Sequence, residues 1–212
     1  MGTHDVILFD LDGTLSDPLV GIGRSINYAL EHFGYAPLEL AQLATYVGPP
    51  IDETFAGLTG VSAEAHIKAL VAKFRERYAA VGYSENVLYP DVAGSIARLS
   101  QADIPLGICT SKRADFAERI LEMFGLRSHF RFVSGGDIGI PKWRQIEGLF
   151  AKGQVTAATV MVGDRATDLA AAHRNGLQSA AVLWGYGSES ELAQERPRYV
   201  FRSALELHEL SG

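Results

Sequence analysis

Val6-Ile7-Leu8-Phe9-Asp10-Leu11-Asp12-Gly13-Thr14 joins four apolar residues to two carboxylates, a glycine and a hydroxyl. A short, wholly apolar run suits a strand buried on both faces, because parallel sheets are covered by helices on either side. Asp10 and Asp12 leave the end of that strand together, and two such carboxylates repel unless a cation or a shared proton intervenes. Alone, the segment also fits a turn, since Asp and Gly favour turns. The rest of the chain decides between these readings.

Similar apolar runs recur at Ile104–Cys109, Phe130–Val133, Thr159–Val162 and Ser179–Leu183. Helical patterns follow most of them. In Ala114–Phe124, Phe116, Ile120 and Phe124 share one helical face and Gly125 offers a stop. Ala166–Asn175 ends at Gly176, Gln145–Phe150 is helical, and Ser188 and Glu191 have capping-box spacing. Strands alternating with helices predict an α/β fold, a doubly wound parallel sheet.

The connection after the first strand breaks this rhythm. Strand-to-helix loops usually run about 2–6 residues, yet the next helix–strand pair starts near Asp91. Ser16-Asp17-Pro18 reads as a helix start. Leu19, Ile22, Ile26, Leu30 and Phe33 then form an apolar stripe. A stronger one runs through Ile67, Leu70, Val71, Phe74, Tyr78 and Val81. Leu38–Leu58 is helical too, interrupted at Gly48-Pro49-Pro50. Residues 16–86 are therefore expected to be a small helical domain inserted into an α/β core of residues 1–15 and 87–212. Ligands of open α/β sheets bind beyond the carboxyl ends of the strands, so a module inserted there is expected to act as a cap.

Composition sets outer limits. The chain has 212 residues, 47% hydrophobic and 21% charged, an ordinary globular balance. A net charge of -6 gives no general attraction for nucleic acid or an anionic membrane. Met1 to Asp5 carries no basic stretch, Val6–Phe9 is too short for a signal sequence, and no apolar run nears the ~20 residues of a membrane span. A cytoplasmic monomer or homodimer is expected. The single cysteine, Cys109, reads as a small core residue, and the six histidines show no metal-ligand spacing.

Four strand exits carry compatible chemistry. The first bears Asp10 and Asp12, and another bears Gly163-Asp164-Arg165-Ala166-Thr167-Asp168, with its two acids on one side of a helix start. Carboxylates converging without Cys or His suit a hard cation, magnesium first. Thr110-Ser111-Lys112 offers hydroxyls and backbone N–H groups to phosphate oxygens, and Lys142 offers an ammonium to balance negative charge. A carboxylate attacking a phosphate dianion meets like charge, which a cation and a lysine would screen. Asp10 could then form an aspartyl-phosphate, with Asp12 as acid and base.

In order along the chain, Asp10-Leu11-Asp12-Gly13-Thr14, Thr110, Lys142 and Gly163-Asp164 with Asp168 resemble the four motifs of the haloacid dehalogenase (HAD) superfamily. The resemblance covers nearly the whole sequence and implies a HAD-like Rossmannoid core with a helical cap. It implies Asp10 as nucleophile, Asp12 as acid/base, Thr110 as phosphate binder and Lys142 as the charge-balancing lysine. Magnesium would be held by Asp10, the main-chain carbonyl of Asp12 and Asp164, with Asp168 as an outer ligand or orienter. Tyr46-Val47-Gly48-Pro49-Pro50 and Thr110-Ser111-Lys112 are similar to segments of the phosphoglycolate-phosphatase-like branch, adding Gly13, Gly48, Pro49 and Ser111 as substrate-side candidates. Many relatives carry proline after the motif-three lysine, whereas here Pro141 precedes Lys142 and Trp143 follows it. Lys112 and Lys152 are thus rivals for its role.

The expected activity is magnesium-dependent hydrolysis of a small phosphomonoester such as phosphoglycolate. A nucleoside 5′-monophosphatase and a sugar phosphomutase are alternatives. Outside phosphate chemistry stands a dehalogenase, which also uses an aspartate nucleophile but would need neither magnesium nor Asp12; outside enzymes stands a phospho-accepting receiver-like module, which the large insertion disfavours. Arg24, Arg113 and Arg165 read as solvated surface charges.

Overall fold

The computed structural model describes residues 4–102, 104–136 and 140–212. β1 (Ile7–Phe9) stands at the centre of a six-stranded sheet. It is flanked by β4 (Leu106–Cys109) and β6 (Val160–Gly163). Beyond β4 lies β5 (Phe130–Ser134), and beyond β6 lie β7 (Gln178–Val182) and β8 (Tyr199–Phe201). The paired neighbours all run parallel. Ile7, Leu8 and Phe9 have no exposed surface, and each such side chain contributes about 1.5–3 kcal/mol by leaving water. The chain winds from β1 toward β4 and β5, then starts again at β6 and winds the other way. The order therefore reverses between β1 and β6, the crevice where doubly wound sheets place their ligands.

Helices α5 (Val92–Ser100), α6 (Ala114–Met123), α7 (Lys142–Ala151), α8 (Ala166–Arg174) and α9 (Glu189–Gln194) connect these strands. α7 and α8 cover β4 and β6 through Cys109, Ile146, Leu149, Met161, Ala171 and Ala172, with Trp143 and Phe150 packed against them. Ser188 caps α9, accepting from Glu191 N at 3.1 Å. β8 is a strand of this sheet without a forecast. It is three residues long, flanked by Arg198 and Arg202, with Val200 exposed. Short strands bracketed by charge are usual at sheet edges.

The chain divides into two compact units, Met1–Asp17 with Leu88–Gly212, and Pro18–Val87. The second contains α1 (Leu19–His32), α2 (Leu40–Leu43), α3 (Ile51–Thr59) and α4 (Glu64–Ala80). Its interior is Ile26, Ala29, Leu30, Leu43, Phe55, Ile67, Leu70 and Val71. The helix does not start at Ser16: Ser16–Asp17 is a strand, β2, paired with β3 (Val87–Leu88). Helix α1 begins at Leu19, after Pro18, whose missing N–H costs nothing there. Val81, expected on the buried stripe, is exposed because α4 ends before it. Among the described residues no helix is long and apolar enough to cross a membrane.

Candidate active site

Asp10 is the first residue past β1. Its N–H still donates to Val162 O of β6 at 3.0 Å, and the register aligns Phe9 with Val162. Asp164 follows Gly163 at the end of β6, so the two acids emerge side by side. Past Asp10 the chain folds back at once. Leu11 O accepts from Leu15 N and Ser16 N at 2.9 and 3.1 Å, and Gly13 sits at φ +85°.

Asp164 is fully buried and clasped from two sides. Its Oδ1 accepts from the Thr14 hydroxyl at 3.0 Å and its Oδ2 from Tyr186 N at 2.9 Å. Two glycines make room for it: a Cβ on Gly13 would lie 2.2 Å from Asp164 Oδ2, and one on Gly185 2.3 Å from Asp164 Cβ. Asp168, also buried, lies in the first turn of α8, where its Oδ2 accepts from Arg165 N at 3.1 Å. The capping role and the chemical role expected of this residue are compatible, because its Oδ1 pairs with Lys142.

Lys142 is in the first turn of α7, so that helix starts earlier than Gln145. Its ammonium bonds Asp168 and lies 3.0 Å from Asp10 Oδ1, although that approach lacks hydrogen-bond alignment. Burial pulls its pKa down, but Asp10 and Asp168 outweigh that and hold it above the ordinary lysine value. Asp164 and Asp168 are both buried. Burial raises both pKa values, and for Asp164 the charges of Asp168 and Asp10 add to the rise. One oxygen from each of Asp10, Asp164 and Asp168 lies within 4.8 Å of the others, all three residues buried. Three hard oxygen donors held together against their own repulsion fit a divalent cation of the magnesium type. Asp12 contributes no carboxylate to that group.

Asp12 belongs instead to a second cluster. Its Oδ2 lies 2.8 Å from Lys112 Nζ, while its Oδ1 is buried without a hydrogen-bond partner among the described residues. Burial raises its pKa, with Lys112 opposing. Thr110, at the end of β4, is 1% exposed, and its Oγ1 accepts from Lys112 N at 3.2 Å. Ser111 is exposed beside it. Of the three lysines proposed for charge balance, Lys142 meets Asp10, Lys112 meets Asp12, and Lys152 is exposed at the far end of α7. Gly48 and Pro49 are exposed in the helical unit, Gly48 at φ +108°. Arg24, Arg113 and Arg165 pair with Glu85, Asp115 and Glu191.

The loop after β7 went unread in the sequence. Trp184 Nε1 donates to Thr14 O at 2.9 Å, and Tyr186 spends its N–H on Asp164 and its hydroxyl on Asp17. The available signal was Gly185-Tyr186-Gly187 directly after an apolar run, one more strand exit with glycines where backbone must come close.

The family model described as haloacid dehalogenase-like hydrolase matches residues 7–182. A 5′-nucleotidase of Pseudomonas aeruginosa is 34% identical over 95% of this chain and 96% of its own. A phosphoglycolate phosphatase of Chromobacterium violaceum is 31% identical over 96% and 95%. Protein tyrosine kinase A (PtkA) of Mycobacterium tuberculosis superposes with a TM-score of 0.83 at 30% identity, covering 99% and 98%.

Proposed function

This chain belongs to the haloacid dehalogenase-like hydrolases and is a phosphoric monoester hydrolase, and we propose that it acts on a small organic phosphate with Asp10 as covalent nucleophile. The observation that carries the reading is the buried meeting of Asp10, Asp164 and Asp168 with Lys142. So much uncompensated negative charge is costly in a fold unless something binds it.

An Asp10 carboxylate oxygen attacks phosphorus, and the bond to the leaving alcohol oxygen breaks as Asp12 hands that oxygen its proton. Water then attacks the aspartyl-phosphate, Asp12 takes the water's proton, and phosphate leaves with the Asp10 carboxylate restored. Lys142 stays an ammonium throughout and offsets the charge gathering around Asp10. The Thr110 hydroxyl and the Ser111 N–H are suited to the phosphate oxygens. Asp10, Asp164 and Asp168, with the Asp12 carbonyl as the resemblance implies, would hold magnesium, which when bound screens the repulsion between nucleophile and dianion.

Phosphoglycolate or a similar short acid phosphate is the favoured substrate, supported by the phosphoglycolate phosphatase relative and the similarity of residues 46–50 to that branch. The 5′-nucleotidase relative makes nucleoside monophosphates the specific second reading. We assign residues 18–87 the role of substrate-selecting cap. The test is phosphate release across a panel of acid, sugar and nucleoside phosphates, with magnesium and with EDTA, for wild type and Asp10→Asn. Chelation and the substitution should each remove turnover, the latter by about 10⁴-fold or more, with the fold retained. Near-wild-type release by Asp10→Asn would overturn the mechanism. Isomerised sugar phosphate without free phosphate would indicate a mutase, and a long-lived wild-type aspartyl-phosphate a receiver-like module.

A further inference from the structure

The two oxygens of Asp12 have different surroundings. Oδ2 faces the Lys112 ammonium at 2.8 Å, in a pair whose side chains are only 16% and 7% exposed. Oδ1 is buried and meets no hydrogen-bond partner among the described residues. A carboxyl group donates or accepts a proton through one oxygen at a time, so an ammonium on one oxygen directs the proton to the other.

The backbone that carries this ammonium is well fixed. Lys112 N donates to the Thr110 hydroxyl at 3.2 Å, and Lys112 O accepts from Gly136 N at 2.9 Å. Gly136 comes so near that a Cβ on it would lie 2.5 Å from Ser111 O. The backbone carrying Lys112 is thus held between the ends of β4 and β5. Sequence reading treated Lys112 as a substitute for Lys142, yet the two lysines face different acids.

We propose that Lys112 is a positioning residue: by holding Asp12 Oδ2 it presents Oδ1 to the leaving oxygen of the substrate and stabilises the Asp12 carboxylate left when the proton departs. This rests on the reading of Asp12 as acid and base. No new reactant is needed. The proton moves from Asp12 Oδ1 to the leaving oxygen as the phosphorus–oxygen bond breaks, and returns to Oδ1 from the attacking water. Lys112 keeps its three protons.

The test exploits what an acid is for. A nitrophenolate leaves unaided, whereas an alkoxide must be protonated as it departs. The quantity to read is kcat/KM, which reports steps up to loss of the leaving group and so excludes the later hydrolysis common to both substrates. Wild type, Lys112→Met, Lys112→Arg and Asp12→Asn are compared with magnesium present, on p-nitrophenyl phosphate and on the best alkyl phosphate of the panel. Thermal denaturation of each variant accompanies the kinetics. Lys112→Met should lower kcat/KM for the alkyl ester by about 10²-fold, within the range general acid catalysis supplies, and for the aryl ester by less than about 5-fold. Lys112→Arg should recover most of the loss. An equal fall on both esters would overturn the proposal and make Lys112 a phosphate or structural contact. If Lys112→Met fails to fold, the same selective loss is sought in Lys112→Gln. Should Asp12→Asn spare the alkyl ester, the acid/base reading itself fails. Should Asp12→Asn show the selective loss while Lys112→Met, or Lys112→Gln in its place, does not, only the positioning role fails.

Discussion

The two units treat charge in opposite ways. In the α/β unit Asp10, Lys142, Asp164 and Asp168 are 8%, 6%, 0% and 1% exposed. In the helical unit none of the described charged residues is buried. Lys68 and Glu64 are 75% and 82% exposed, and Lys73 and Glu76 are 20% and 56%. The interior there is mainly aliphatic and aromatic, with the uncharged Ser25, Thr54 and Asn86. Buried charge lowers stability unless it is fully paired, whereas exposed i,i+3 and i,i+4 pairs contribute only a few tenths of a kcal/mol. One unit thus draws its stability from packing, and the other tolerates a strained cluster because that cluster has a task.

The contrast predicts, first, that packing defects dominate in the helical unit. Leu70 is fully buried among Ile26, Leu30, Leu43 and Phe55. Leu70→Ala should destabilise that unit by about 2–5 kcal/mol, lost transfer energy plus a cavity. Urea denaturation followed by circular dichroism should show an early transition, while calorimetric magnesium binding survives. A loss below about 1 kcal/mol would mean that the helical interior is looser than its burial implies.

The second expectation runs against the usual direction of mutation. Asp164→Asn should stabilise the metal-free protein. The carboxyl pKa is raised in the fold by burial and by Asp168 and Asp10. Folding therefore opposes ionisation, and the penalty grows as pH rises above the unfolded carboxylate value near 3.8. An amide keeps both contacts, its oxygen accepting from Tyr186 N and its NH₂ donating to the Thr14 hydroxyl. At neutral pH a gain of about 1 kcal/mol, or roughly 2–4 °C, is expected. The gain should shrink as pH falls toward the unfolded value, and the rise in Tm that magnesium gives wild type should disappear in the variant. A lower metal-free Tm would show that the cluster is not strained.

The same contrast explains what could be read from the sequence. The exits of β1 and β6 were legible because their chemistry resides in side chains: Asp10, Asp12, Asp164 and Asp168 announce themselves after apolar runs. The apolar stripes of α1 and α4 were legible because burial in a helical unit is periodic. The loop after β7 was not, since Tyr186 holds Asp164 through a backbone N–H, which every residue except proline possesses. The division of labour between Lys112 and Lys142 was also hidden. It depends on where β4, β5 and α7 end in space, and both lysines look alike as letters. Tyr199–Phe201 escaped because a three-residue edge strand has too few residues to show a period.

Glu85 supplies the smallest effect and the finest probe, being a well-shielded charge of the helical unit. Its carboxylate meets Arg77 at 2.9 Å and Arg24 at 2.8 Å, and its side chain is 15% exposed. The hydrogen bonds from Arg77 lower its pKa, burial opposes them, and Arg24 adds to the lowering. A depressed carboxylate stabilises the fold above its unfolded pKa, and that contribution disappears as pH falls through the folded value. Glu85→Gln should therefore cost about 1 kcal/mol at neutral pH. The difference from wild type should stay constant down to the ordinary glutamate range near 4.5 and close below it. Phosphatase kcat/KM on p-nitrophenyl phosphate should stay within about 2-fold of wild type, since a difference of 1.4 kcal/mol would be needed for a factor of ten. If the gap in stability instead persisted unchanged below pH 4, the ion pair would contribute nothing. The helical unit would then rest on packing alone, and the contrast with the α/β unit would be complete.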